Sequence, residues 1–260
     1  MYKNNYILVT MLILLFIPHW STTKKYCKKN TYQKQVKNIP ISPEPQLEFL
    51  SRDLPASQAK SISPYQAKLF DFSDVQGLSC SQLQQHLKLY HGYVNKRNEI
   101  YQLLKTVDKT NAAGITYSPF RSLKTAETFA LNGSILHELY FENLSSRKKM
   151  SPETEKLLIK NFGSITAFKS DVIDCASCSR GWVVTAYSIN DSKLYNFVLD
   201  THNETVPILA LPILVIDIYE HAYMIDFGIN RTQYLQRIWE NINWDVVEQR
   251  IVKWVKKFEE

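Results

Sequence analysis

The first 37 residues contain no Asp or Glu, although they hold seven lysines. That stretch accounts for the formal net charge of +6, because the rest of the chain balances 24 basic against 25 acidic residues. With the excess confined to one end, no basic, aromatic-laced groove for nucleic acid is implied. The basic tail is suited instead to an anionic membrane or cell surface. A run long enough to span a bilayer is also missing. Ile7 to Ile17 is an apolar stretch of 11 residues stopped by Pro18, too short for a spanning helix. Following Lys3, it has the length of an export signal. Residues 1–21 are therefore expected to be a signal peptide cut near Ser21 or Thr22, or an uncleaved anchor. No Leu-x-x-Cys precedes Cys27 to suggest lipidation. Residues 22–63, rich in Lys, Ser, Pro and Gln without a sustained period, read as a flexible basic tether.

Cysteine is scarce as well, with only Cys27, Cys80, Cys175 and Cys178. Cys175-Ala176-Ser177-Cys178 has thioredoxin-like spacing, but no thioredoxin βαβ pattern precedes it. A disulfide or two inert thiols fits an exported chain better than a redox motif.

Beyond residue 63, periodicity predicts helices over 80–106, 121–144 and 152–173. Strands follow at 181–189, 194–199 and 212–217, with further helices after 230. Helices first and strands later indicate an α+β chain. Arg147-Lys148-Lys149 and the helix start Ser151-Pro152-Glu153 place a junction at 147–151, between a lobe at 64–148 and another at 149–260.

The buried run Pro212–Ile216 ends in Asp217-Ile218-Tyr219-Glu220-His221-Ala222-Tyr223. Asp and neutral His are ligands for Mn, Fe or Zn, and a low-dielectric setting favours a cation beside the carboxylate. On spacing alone such a pair is more often a helix cap and an ordinary histidine. The other candidates are His137, among apolar residues at helical spacing, and His86, which shares a helix face with Tyr90 and Tyr93 while His91 falls to one side.

These blocks together resemble the iron/manganese superoxide dismutases, from about residue 64 to 255. The resemblance rests on His137 with Phe141-Glu142-Asn143-Leu144, on Asp217-x-x-Glu220-His221-Ala222-Tyr223, and on the closing Tyr234-Leu235, Trp239, Asn241 and Ile242-Asn243-Trp244. It implies an N-terminal α-hairpin lobe followed by a mixed α/β lobe with a small antiparallel sheet, and a metal site between them. The implied ligands are His86, His137, Asp217 and His221, holding one Fe or Mn per subunit, with superoxide as substrate. His202 would bond the solvent on the metal, in agreement with Gly133 at the place where some members carry Gln. Tyr93, and less directly Tyr90, would supply a proton-donating hydroxyl, and Trp182 would wall the pocket. Glu220 would reach the ligand His of a partner subunit, implying a homodimer through the Glu220/His221 region.

The first block departs from the family. Tyr93 lies seven residues beyond His86, one fewer than usual. Either His86 remains the ligand on a shortened helix, as phase favours, or the ligand is lost. In the second case the chain would be a non-catalytic surface-attached protein on the same fold.

Overall fold

The computed structural model describes residues 64–114, 116–145 and 149–256. The expected leader and tether lie outside the described residues, as does part of the expected junction.

Serine starts the four long helices. Helix α1 (Cys80–Thr106) begins where the Ser79 side chain accepts from the Gln82 N–H, and α2 (Pro119–Glu142) where Ser118 accepts from Arg121. Helix α3 (Pro152–Phe162) is capped by Ser151 and α4 (Ile165–Cys178) by Ser164. Each serine satisfies an N–H that has no partner within its helix, and Pro119 and Pro152 stand in the first turn, where a missing N–H does no harm. The single helix expected over 152–173 is in fact these last two. Gly163 takes φ 84°, a left-handed geometry suited to glycine, and its N–H closes α3 on the Ile159 carbonyl.

In α1 the buried residues Leu83, His86, Leu87, Tyr90 and Val94 fall on one face. That face packs on Gly133, His137, Tyr140 and Phe141 of α2. His86 meets Phe141 while Tyr93 meets Gly133, so the two helices run antiparallel as a hairpin.

Strands β1 (Trp182–Ser188), β2 (Lys193–Leu199) and β3 (Ala210–Asp217) form an antiparallel sheet in the order β2-β1-β3. Central β1 is buried from Trp182 to Tyr187, which explains its largely apolar character. A register shift beside Thr185 and Ala186 leaves Ile213 out of the pairing, and Pro212, which has no N–H, sits on the edge strand. Beyond the shift, Trp182 pairs with Leu199 on one side and Asp217 on the other. A 3₁₀ turn (Glu220–Ala222) and α5 (Met224–Phe227), α6 (Arg231–Glu240) and α7 (Trp244–Ile251) complete this half, ending in a π-type turn over Val252–Lys256. One hydrophobic core runs through hairpin and sheet, so the α+β architecture expected from the sequence is present.

Arg250 on α7 ties the halves together. Its guanidinium donates to Asn143 Oδ1 at 2.6 Å, to the carbonyls of Ile213 and Leu139 at 3.0 Å each, and to Glu142 Oε2 at 2.9 Å. Replacing Arg250 with Met should therefore lower unfolding stability by about 3 kcal/mol in urea titrations, since several buried acceptors lose their donor. Burial alone would raise the pKa of Glu142, but Lys68 and Arg250 outweigh it and hold the carboxyl below its ordinary value. A depressed folded-state pKa stabilises the fold above the unfolded value, near 4.5, and that contribution is lost as pH falls through the folded one. Glu142→Gln should accordingly flatten the stability-versus-pH curve below pH 4.5. An unchanged acid limb would contradict this.

Candidate metal centre

Four side chains converge where the hairpin meets the sheet. His86 comes from α1, His137 from α2, Asp217 from the last position of β3 and His221 from the following 3₁₀ turn. Their ligand atoms all lie within 4.8 Å of one another. All three histidines turn Nε2 toward the same oxygen, Asp217 Oδ2, at 3.1 Å for His86, 3.2 Å for His221 and 3.6 Å for His137. The other carboxylate oxygen accepts the Tyr219 N–H at 2.9 Å.

The protonation pattern favours a cation. His137 Nδ1 is 2.6 Å from the Gly133 carbonyl, which can only accept, so Nδ1 carries the proton and Nε2 presents a bare lone pair. That Nε2 is buried without a hydrogen-bond partner. Burial holds the His137 imidazole neutral down to about pH 3, with His86 acting in the same direction. Burial also lowers His86, although Asp217 opposes it. On Asp217 burial acts upward, but His221 and His86 outweigh it and keep the carboxylate ionised. On His221 the order reverses. Burial lowers its pKa, yet the facing Asp217 charge leaves it raised. An ionised carboxylate beside three imidazoles, one of them with an orphaned lone pair, is a donor set that suits Fe or Mn.

A second layer surrounds these four. The Tyr93 ring lies 5.1 Å from His137 and 4.7 Å, edge-on, from His202. Trp182 is fully buried, stands edge-on to His137 at 4.9 Å, and donates its indole N–H to His202 Nδ1 at 2.9 Å. This bond fixes the tautomer, leaving the His202 proton on Nε2. Burial pushes the His202 pKa down to about 4, so the ring is neutral at pH 7. Tyr219 stacks on His221 at 5.2 Å and donates to the Asp200 carbonyl at 3.5 Å, which gives its hydroxyl a partner. Glu220 is exposed beside His221.

The Tyr90 hydroxyl is not brought to this cluster. It donates to Glu138 Oε1 at 2.8 Å and accepts the Lys68 N–H at 2.8 Å, in a network that also takes the Tyr65 hydroxyl and the Lys68 ammonium. His91, half-buried, lies beside the Tyr90 ring and off the face of His86. Glu138 escaped the sequence reading, although a carboxylate directly after a buried histidine in an apolar helix would have signalled a polar partner. Cys175 and Cys178 are free thiols, and burial pushes Cys175 up to about 11, away from the reactive thiolate.

Fold and donor set define a mononuclear metalloprotein site of three histidines and one carboxylate, buried between the helical hairpin and the sheet. A model of the iron/manganese superoxide dismutase C-terminal domain matches residues 150–250. The iron superoxide dismutase of Aquifex pyrophilus is 36% identical over 191 residues, covering 72% of this chain and 90% of the relative. That of Aquifex aeolicus matches to the same extent, and a manganese superoxide dismutase of Haloferax volcanii is 29% identical over 172 residues, covering 65% and 84%. The chain belongs to the iron/manganese superoxide dismutase family. Its activity is that of the family, with iron or manganese as cofactor.

Gly133 keeps the second layer in place. A Cβ at this position would stand 2.7 Å from Tyr93 Cδ1 and 3.1 Å from His202 Cδ2. Gly133→Ala should therefore displace both rings and cut dismutation roughly 10- to 100-fold while the metal is retained, as read by steady-state rate beside metal content. A wild-type rate would contradict it.

Proposed function

We propose that His86, His137, Asp217 and His221 hold one iron or manganese ion, and that the protein is an exported, homodimeric superoxide dismutase. The observation that carries the reading is the convergence of three Nε2 atoms on Asp217 Oδ2, with His137 Nε2 buried and unpartnered. Bound there, the ion supplies alternation between the +2 and +3 states, through which one superoxide is oxidised to oxygen and the next reduced to peroxide. Zinc, without a second accessible oxidation state, cannot serve.

The chain's own residues handle charge and protons. Asp217 stays ionised and so reduces the charge of the site, while neutral imidazoles add none. Two protons are consumed for each peroxide formed. Tyr93, its ring between His137 and His202, is the hydroxyl placed to pass them, and burial raises its pKa so that it keeps its proton at neutral pH. His202 offers Nε2–H from the ring edge opposite Trp182, held in that tautomer by the indole. Trp182 excludes water from one side of His137. Tyr90, bonded to Glu138, takes a structural part.

Export is supported by the apolar stretch Ile7–Ile17, and the lysine-rich segment after it suits attachment to an anionic surface. Dimerisation is supported by exposed Glu220 next to His221, where a partner's ligand histidine would find an acceptor for its outer N–H. The purified full-length protein should contain close to one iron or manganese per chain, disproportionate superoxide, and sediment as a dimer. His86→Ala should lose both metal and activity. A metal-free wild-type protein overturns the reading.

A further inference from the structure

The loop bearing His221 is held by a residue with no place in the scheme so far. Gln82 lies one helical turn before His86 on the same face of α1 and is 1% exposed. Its side-chain amide reaches across to the second half of the chain. Nε2 donates to the backbone carbonyl of His221 at 2.5 Å, and Oε1 accepts the backbone N–H of Ile225 at 3.1 Å. Ile225 is in the first turn of α5, where an N–H has no partner within the helix, so Gln82 caps that helix from a distance while gripping the ligand residue.

We infer that Gln82 is the positioning residue that sets His221 relative to His86. The two rings stand 4.9 Å apart and share Asp217 Oδ2, yet they belong to elements far apart in sequence. Asp217 is fixed by the sheet register, and the Tyr234 hydroxyl donates to its carbonyl at 2.7 Å. Four residues later, His221 lies on a three-residue 3₁₀ turn without a side-chain cap. That turn is the least constrained support among the four, and its imidazole is the most exposed, at 26% for the side chain. Only an amide serves here. A carboxylate at position 82 could accept from Ile225 but not donate to His221, and an apolar side chain could do neither.

The inference rests on His221 being a ligand, which the metal content of the wild-type protein tests separately. With metal-loaded full-length protein, transfer of the ion to an excess of chelator is timed for wild type, Gln82→Leu and Gln82→Glu. Leu158→Ala, a truncation on the buried face of α3, serves as a control of comparable melting-temperature loss. Gln82→Leu is expected to release metal about 10- to 100-fold faster, with Gln82→Glu between it and wild type. The ligand-field spectrum of the oxidised protein should shift in Gln82→Leu, while Leu158→Ala keeps the wild-type rate and spectrum. Release from Gln82→Leu at the wild-type rate, or equal acceleration in Leu158→Ala, overturns the inference. If Gln82→Leu does not fold, Gln82→Glu decides by the same comparison. A wild-type protein without metal would fail the ligand assignment instead.

Discussion

A fully buried carboxylate, that of Asp217, is the constraint to which the rest of the structure answers. Ionised and out of water, it needs positive charge or several strong donors nearby. One oxygen takes a backbone N–H from Tyr219, which leaves Oδ2 facing inward. Three imidazoles surround that oxygen, and two of them, His86 at 3.1 Å and His221 at 3.2 Å, are close enough to hydrogen-bond it and help keep it ionised. His137 has its proton on the far nitrogen, and burial keeps His86 neutral. Without a cation, Nε2 protons on His86 and His221 answer the charge and His137 Nε2 is left with no partner. With one, every Nε2 and the carboxylate share the same partner.

Holding that arrangement is the work of the fold. The β1–β3 register sets Asp217 opposite Trp182, and the β1–β2 register brings the chain past Leu199 so that His202 receives the indole proton. The Ile218 N–H donates to the Gly181 carbonyl at 2.8 Å, which extends the strand pairing just past the ligand. The hairpin contributes its two histidines from facing helices that pack directly, with no loop between the rings. Ligands on helices and at a strand end are positioned by backbone hydrogen bonds already satisfied within those elements. His221, on a short turn, depends on the reach of a side chain from elsewhere.

Much of this was legible in the sequence for definite reasons. Serine before proline marked the helix start at Ser151, because the hydroxyl and the missing N–H both suit a first turn, and the same pair at Ser118 starts α2 two residues before the expected 121. Periodicity made His86 and His137 candidates and the end of a buried run made Asp217 and His221 candidates, while the resemblance to the family joined the four into one set. What escaped were contacts whose partners are remote in the chain. Gln82 reads as one more polar residue near a helix start until His221, 139 positions away, is placed against it. Glu138 likewise gains its meaning only from Tyr65 and Lys68, which precede α1. The break at Gly163, missed in the single helix expected over 152–173, was local and readable, since glycine followed by serine combines a helix end with the next cap.

The shortened interval between His86 and Tyr93 has a geometric resolution. At 3.6 residues per turn, seven residues bring a side chain back to within about 20° of its starting direction, whereas four overshoot by about 40°. Helix α1 is regular from Cys80 to Thr106, so Tyr93 returns to the metal side two turns beyond His86 and meets His137 and His202. Tyr90, one turn along and rotated the other way, enters the space between the hairpin and the segment before α1. There Phe70 and Phe141 pack on its ring and Glu138 takes its hydroxyl. The lost residue therefore leaves both His86 and Tyr93 in register with the site, and a straight α-helix suffices to carry them.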